Sequence, residues 1–306
     1  MRNHHLGQYI RDVGPASHHV KAGTPSLGGV AILPLWVAAV CGLAIARQTP
    51  PMTTFVLASG TAFAAIGAAD DLVSIRRRRS MGLTAGWKVL LTVLVAALLY
   101  ALFREHIAST LSVPFSNASV CLPAWATFLL TVVVFLAATN ALNLTDGLDG
   151  LAGGCSVLIL LGFTFVSSAE SVHALALPLA ATIVGFLWLN AHPARLILGD
   201  VGSYLLGGAI AALALGQGTA FTLPVLAAIP VLEAISVLLQ VPFWRLSHRR
   251  LFRMAPLHHH FEGSAAASSV TPVIPSVEWK ETTIVARFLI VQALFVGLAV
   301  LATRVG

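Results

Sequence analysis

Carboxylates dominate the residues of this chain that could do chemistry. Asp70 and Asp71 stand side by side at the end of an apolar run, in AAIGAADDLVSIRRRR. Adjacent carboxylates next to lipid are costly unless they meet a cation or line a wet site. They suggest a divalent-cation site or proton transfer; a solvated helix end balanced by the arginines is the alternative. The arginine run itself reads as a topology and anionic-lipid anchor. In NALNLTDGLDGLAGG, Asn140, Asn143, Asp146 and Asp149 recur every three residues. Wherever this segment is helical they fall on neighbouring positions of one face. Its glycines allow close approach of backbone or ligand. In HPARLILGDVGSYLLGG, Asp200 lies between Gly199 and Gly202, and Ser203 can cap the helix that follows. Glycine-rich turns at helix N-termini favour phosphate-like anions, although a plain capped turn would look the same.

Basic and imidazole groups complete the set. RRLFRMAPLHHHFE carries His258, His259 and His260 after Pro256. Three consecutive histidines do not share a helix face and do not match zinc-site spacing. Beside Arg249, Arg250 and Arg253 they could grip phosphate, or they could be a solvated polar tract. In KAGTPSLGG, Lys21 offers a point charge suited to a diphosphate. Glu233 lies inside the apolar run PVLEAISVLLQ, with Gln240 two helical turns further on. An intramembrane acid is a functional candidate, and a structural hydrogen-bonding role is equally open. Together these groups suit a Mg²⁺-dependent phosphoryl transfer. Mg²⁺ takes oxygen ligands, commonly one or two carboxylates plus substrate phosphates, and phosphoryl transfer needs positioning and charge neutralisation above all.

The elements that must hold these residues are membrane spans. Of 306 residues, 57% are hydrophobic and 10% are charged, against roughly a quarter charged in a soluble domain. The mean hydropathy is +0.87. A soluble globular chain and a disordered one are both excluded. A span needs about 20 apolar residues, and nine segments qualify: 28–46, 53–69, 87–103, 124–142, 150–167, 172–190, 203–217, 221–244 and 284–303. Lipid offers backbone groups no partners, so these must be helices. The chain thus reads as an all-α polytopic membrane protein, a single domain over residues 1–306. With the N-terminus in the cytoplasm, 15 of the 18 Lys and Arg face inward, as the positive-inside rule requires. Nearly all the acids fall on the same side, so the active site is expected on the cytoplasmic face. Cys41, Cys121 and Cys155 imply no disulfide framework.

The motifs RDVGPASHHVKAGTPSLGG, ADDLVSI, NALNLTDGLDGLAGG, HPARLILGDVGSYLLGG, FRMAPLHHHFE and WKETTIVARF occur in one order over nearly the whole chain. They resemble the MraY family, the phospho-N-acetylmuramoyl-pentapeptide transferases of the polyprenyl-phosphate N-acetylhexosamine-1-phosphate transferase superfamily. The resemblance implies a multi-pass enzyme of the bacterial cytoplasmic membrane, a homodimer among membrane lipid with no nucleic-acid partner. UDP-MurNAc-pentapeptide and undecaprenyl phosphate would give UMP and lipid I, with Mg²⁺ as cofactor. It also implies a catalytic group of Asp70, Asp71, Asp200, His258 and His259, with Asp200 as metal ligand. Lys21, Ser26, Asn143, Asp146, Asp149, Asn190, Gln240 and His260 would bind substrate.

Three departures from the family pattern stand out. The family has ten spans, and the first is not matched here. Residues 263–277, GSAAASSVTPVIPSV, look like a flexible insertion in a cytoplasmic loop. Ile197 stands where the family often has Phe, so stacking on uracil would be weaker. Two other readings compete with the muramoyl-pentapeptide one. A superfamily relative would use UDP-GlcNAc or a similar sugar. A lipid or solute transporter would more naturally keep its polar groups near mid-bilayer, where only Glu233 qualifies.

Overall fold

The computed structural model describes residues 28–46, 52–77, 82–167, 169–263 and 271–304. All nine expected spans fall on helices. They are α1 Gly28–Ala46, α2 Thr53–Arg77, α3 Ala85–Phe103, α4 Ala124–Thr145, α5 Leu151–Val166, α6 Glu170–Asn190 and α7 Gly199–Gly216. A short helix α8, Leu223–Leu226, then precedes α9, Ala228–Ser247, and the order closes with α10, His258–Phe261, and α11, Glu281–Arg304. Among the described residues, eight helices are long and apolar enough to cross a membrane. The expected fifth span is a 16-residue helix, α5, which at about 1.5 Å per residue is shorter than a bilayer core of about 30 Å. Between α3 and α4 a small antiparallel hairpin pairs Thr110–Ser112 with Ser119–Cys121.

Two of the helix boundaries that differ from the expected ones bear on the acidic residues, and both differ for one reason. The second span continues to Arg77 and the seventh begins at Gly199, so Asp70, Asp71 and Asp200 all lie inside helices. Hydropathy places the boundary where the charges begin. The charges find partners on neighbouring helices, so the backbone has no need to stop there.

α7 is the central helix. Its composition, GDVGSYLLGGAIAALALG, is small enough to let neighbours approach on several sides. Gly67 of α2 touches the Asp200 backbone so closely that an added Cβ would lie 2.1 Å from the Asp200 carbonyl oxygen. Gly207 meets Thr139 of α4 in the same way, and Gly29 of α1 meets Gly202. α7 is sheathed by α1, α2 and α4, and its residues from Val201 to Leu215 are buried. The largest buried side chains of the surrounding core include Trp36, Phe55, Phe63 and Phe135. The outer faces of α3, α6, α9 and α11 present residues such as Leu94, Trp188, Leu238 and Leu294, as expected of lipid-facing surface.

The expected span 221–244 is broken at Ala227, between α8 and α9. A break inside an apolar bundle leaves backbone groups that lipid cannot satisfy. Gln292 of α11 supplies both partners. Its Oε1 accepts the Ile229 N–H at 3.0 Å, and its Nε2 donates to the Leu226 carbonyl. Gln292→Leu keeps the bulk and removes both bonds, at about 1–3 kcal/mol per stranded buried group. Its thermal midpoint in detergent should fall by several degrees. An unchanged midpoint would mean that the break is stabilised elsewhere.

Candidate functional site

The C-terminal ends of α2, α4 and α6 and the N-terminal ends of α3, α5, α7 and α11 meet at one end of the bundle. Three carboxylates gather there. Oxygens of Asp70, Asp71 and Asp200 lie within 4.8 Å of one another. Asp70 is buried, its Oδ1 accepting the Leu83 N–H at 2.6 Å. Asp71 reaches across to the start of α7 and accepts the backbone N–H groups of Asp200 at 3.4 Å and Val201 at 3.2 Å. These are first-turn donors with no intrahelical partner, so a side chain of α2 caps α7 in the favourable direction of its dipole. Asn143, at the end of α4, donates to Asp200 Oδ1 at 2.8 Å and to Ser203 Oγ at 3.1 Å.

One cation is already inside this cluster. Lys88 Nζ lies 2.6 Å from Asp200 Oδ2 and 3.1 Å from Asp70 Oδ2. In the sequence Lys88 is one of the 15 inward-facing charges and nothing more. Its signal was available: a lone lysine in the otherwise apolar GWKVLLTVLV, where an unpaired charge would be expensive. One ammonium offsets one of the three carboxylate charges, so the cluster keeps the charge and the hard oxygen donors that suit Mg²⁺. The donor set therefore fits the expected ion, with Asp200 at its centre.

A second group ties the turn after α4 to its neighbours. Gly150 has φ 81°, a conformation that favours glycine. Its N–H donates to Asn190 Oδ1 at 3.0 Å, and Asn190 Nδ2 donates to the Leu196 carbonyl at 2.9 Å. Asp149 Oδ2 lies 3.1 Å from His192 Nδ1 and accepts the Ala194 N–H at 3.0 Å. Glu281, opening α11, accepts the Asp149 N–H at 3.0 Å and lies 3.6 Å from His192 Nδ1. Asn190 and Asp149 thus hold the loop between α6 and α7 against the turn. Asp146 is partly exposed at the end of α4, its N–H bonded to the Leu142 carbonyl. His192 and Glu281 were not singled out from sequence, although both lie in motifs quoted for the resemblance.

The histidine motif forms α10; the His258 and His259 ring centroids lie 4.1 Å apart, but the three residues have different polar neighbours. His258 is fully buried, next to Glu233 and Gly147. His259 Nδ1 pairs with Glu262. His260 Nδ1 accepts the Arg253 N–H at 3.0 Å. Burial lowers the pKa of His260 below the ordinary histidine value, and the Arg253 charge acts in the same direction, which keeps that ring nitrogen an acceptor. Gln240 exchanges two bonds with the Phe252 backbone, at 3.2 and 2.9 Å, and so anchors the loop that leads to the histidines. Val273 and Ile274, within the expected insertion, donate to the carbonyls of Arg250 and Leu251, both at 2.9 Å. Residues 264–270 of that segment lie outside the described residues, as do Lys21 and Ser26. Ile197 is buried, and its carbonyl accepts the Gly28 N–H.

Among known families, residues 53–217 match the one described as glycosyl transferase family 4. That stretch includes Asp70, Asp71, Lys88, Asn143 and Asp200. A phospho-N-acetylmuramoyl-pentapeptide-transferase of Rubrobacter xylanophilus is 39% identical, over 97% of this chain and 88% of the relative. Proteins of the same name from Mycobacteroides abscessus and Koribacter versatilis are each 37% identical over 96% of this chain, covering 88% and 84% of their own lengths. These matches cover nearly the whole chain, and the chain belongs to the phospho-N-acetylmuramoyl-pentapeptide transferase family.

Proposed function

We propose that this protein transfers phospho-MurNAc-pentapeptide from UDP-MurNAc-pentapeptide to undecaprenyl phosphate, giving lipid I and UMP, with Mg²⁺. The observation that carries the reading is the cluster of Asp70, Asp71, Lys88, Asn143 and Asp200 at one end of a membrane bundle. A site at the lipid–water boundary suits one lipid-borne and one water-soluble substrate. The positive-inside distribution supports a bacterial cytoplasmic membrane with this end in the cytoplasm.

The roles follow from the partners each group has. Asp71 spends its oxygens on the amides of α7, which makes it the residue that sets where Asp200 stands. Asp70 is the better candidate for orienting or deprotonating the lipid phosphate. An oxygen of that phosphate attacks the sugar-bearing phosphorus of the nucleotide, a new P–O bond forms, and the bond to UMP breaks. Asp200 would hold Mg²⁺ with help from the other two carboxylates, and the ion when bound neutralises charge on the diphosphate. Lys88 holds Asp70 and Asp200 close together in a site partly shielded from water. Asn143 fixes the rotamer of Asp200. Asp146 and Asp149, on the turn that continues from Asn143, would line the nucleotide-sugar site, with His259 and the arginines on the neighbouring loop.

Four experiments test this reading. Purified protein supplied with polyprenyl phosphate and either UDP-MurNAc-pentapeptide or UDP-GlcNAc should release UMP from the first alone, and only with Mg²⁺. Release from UDP-GlcNAc would move the enzyme to another branch of the superfamily, and solute flux without UMP would remove it from enzymology. Asp200→Ala should abolish turnover, and activity surviving it would refute the metal assignment. Lys88→Met, which keeps the chain length and removes the charge, should cost about 100-fold or more in kcat, on the scale of a lost charge-stabilising group. Direct attack also predicts that no phosphorylated Asp70 or Asp71 can be trapped during turnover.

A further inference from the structure

Glu233 is a carboxylate inside the apolar bundle, fully buried in α9. Its only ion-pair partner among the described residues is His258. Both carboxylate oxygens accept the His258 backbone N–H, at 3.2 and 3.3 Å. His258 Nδ1 lies 3.2 Å from Glu233 Oε1, in ion-pair range but off hydrogen-bond alignment. The ring is 1% exposed, and neither nitrogen has a hydrogen-bond partner among the described residues. A buried polar ring left so poorly satisfied needs a reason to be there.

Its other edge supplies one. Nε2 faces Gly147, where an added Cβ would lie 2.2 Å from it. Only glycine lets the ring sit this close to the backbone of the turn. Gly147 directly follows Asp146 and precedes Asp149. Further along α9, Gln240 exchanges two hydrogen bonds with the Phe252 backbone. Glu233 and Gln240 are seven residues apart, two turns on one helix face. α9 therefore grips the histidine loop at two points, and the loop presses the His258 ring against the turn.

We infer that Glu233 is a positioning residue: through His258 it holds the 146–149 turn in the conformation that receives the nucleotide sugar. The inference rests on reading that turn as part of the nucleotide-sugar site. Its chain of contact runs from carboxylate to imidazole to glycine, and none of these groups needs to touch the reacting phosphates.

The test uses the full chain in lipid nanodiscs, with Glu233→Ala, Glu233→Gln, Gly147→Ala and the Gly147→Ala/Glu233→Ala double variant. Glu233→Ala should raise KM for UDP-MurNAc-pentapeptide about tenfold, within the cost of misplacing a positioned group, and leave KM for polyprenyl phosphate unchanged. Glu233→Gln, whose amide oxygen can still accept the His258 N–H, should recover part of the loss. Gly147→Ala should reproduce the selective rise, and the double variant should be no worse than the worse single one, because both changes break one linkage. Backbone hydrogen exchange should quicken in residues 143–151 of Glu233→Ala but not in residues 199–205. Equal rises in both KM values, additive effects, or unchanged exchange in residues 143–151 would overturn the inference. If the unmodified protein releases no UMP, the functional reading fails and the exchange comparison alone decides this one.

Discussion

A charge beside lipid must find its counter-charge inside the protein, and the arrangement of this bundle follows from that constraint. Lys88 is stable at the start of α3 because Asp70 and Asp200 face it. Those carboxylates in turn tolerate each other because Lys88, Asn143 and backbone amides surround them. Such networks stand or fall as units, since removing one partner strands the others at full desolvation cost. The site is therefore also the lock that holds α2, α3, α4 and α7 together at one end.

The same rule operates where there is no chemistry. The interrupted helix at Ala227 would leave amide and carbonyl groups bare, and Gln292 answers it from another helix. Glu233 is answered by a loop that comes down to meet it. Packing does the rest through smallness: Gly67, Gly207 and Gly29 let α7 lie close enough to its neighbours for backbone to touch backbone. Van der Waals contact of that kind substitutes for the hydrophobic drive that is weak between helices in lipid.

How much of this the sequence shows depends on how local the signal is. Spans are local, and all nine proposed from hydropathy fall on helices. Asp70, Asp71 and Asp200 were recognisable as candidates because charges and glycines stand out in apolar text. Their helix boundaries were not recognisable, because the bonds from Asp71 to the amides of Asp200 and Val201, which let α2 and α7 continue through the charges, join residues 129 and 130 positions apart. Lys88 was overlooked for the same reason, since a single lysine gains meaning only from the two carboxylates facing it. The break at Ala227 and its repair by Gln292 involve residues 63 positions apart; Pro224, Pro230 and Gln292 stand out in their own segments, but nothing local says that the two segments meet. The three histidines look like one motif in sequence, yet each faces a different neighbour.

The bond from Asp71 to the first amides of α7 bears on how the enzyme meets its membrane. Helices in a bilayer tilt and slide to match its thickness, which varies with lipid composition. Asp71 joins α2 to α7 through backbone amides, and Gly67 seats the two helices against each other one turn away. Neither helix can shift along its axis without the other. Asp70, Asp71 and Asp200 all stand on these two helices, so the seat between α2 and α7, rather than the lipid-facing helices, fixes the spacing among the three carboxylates.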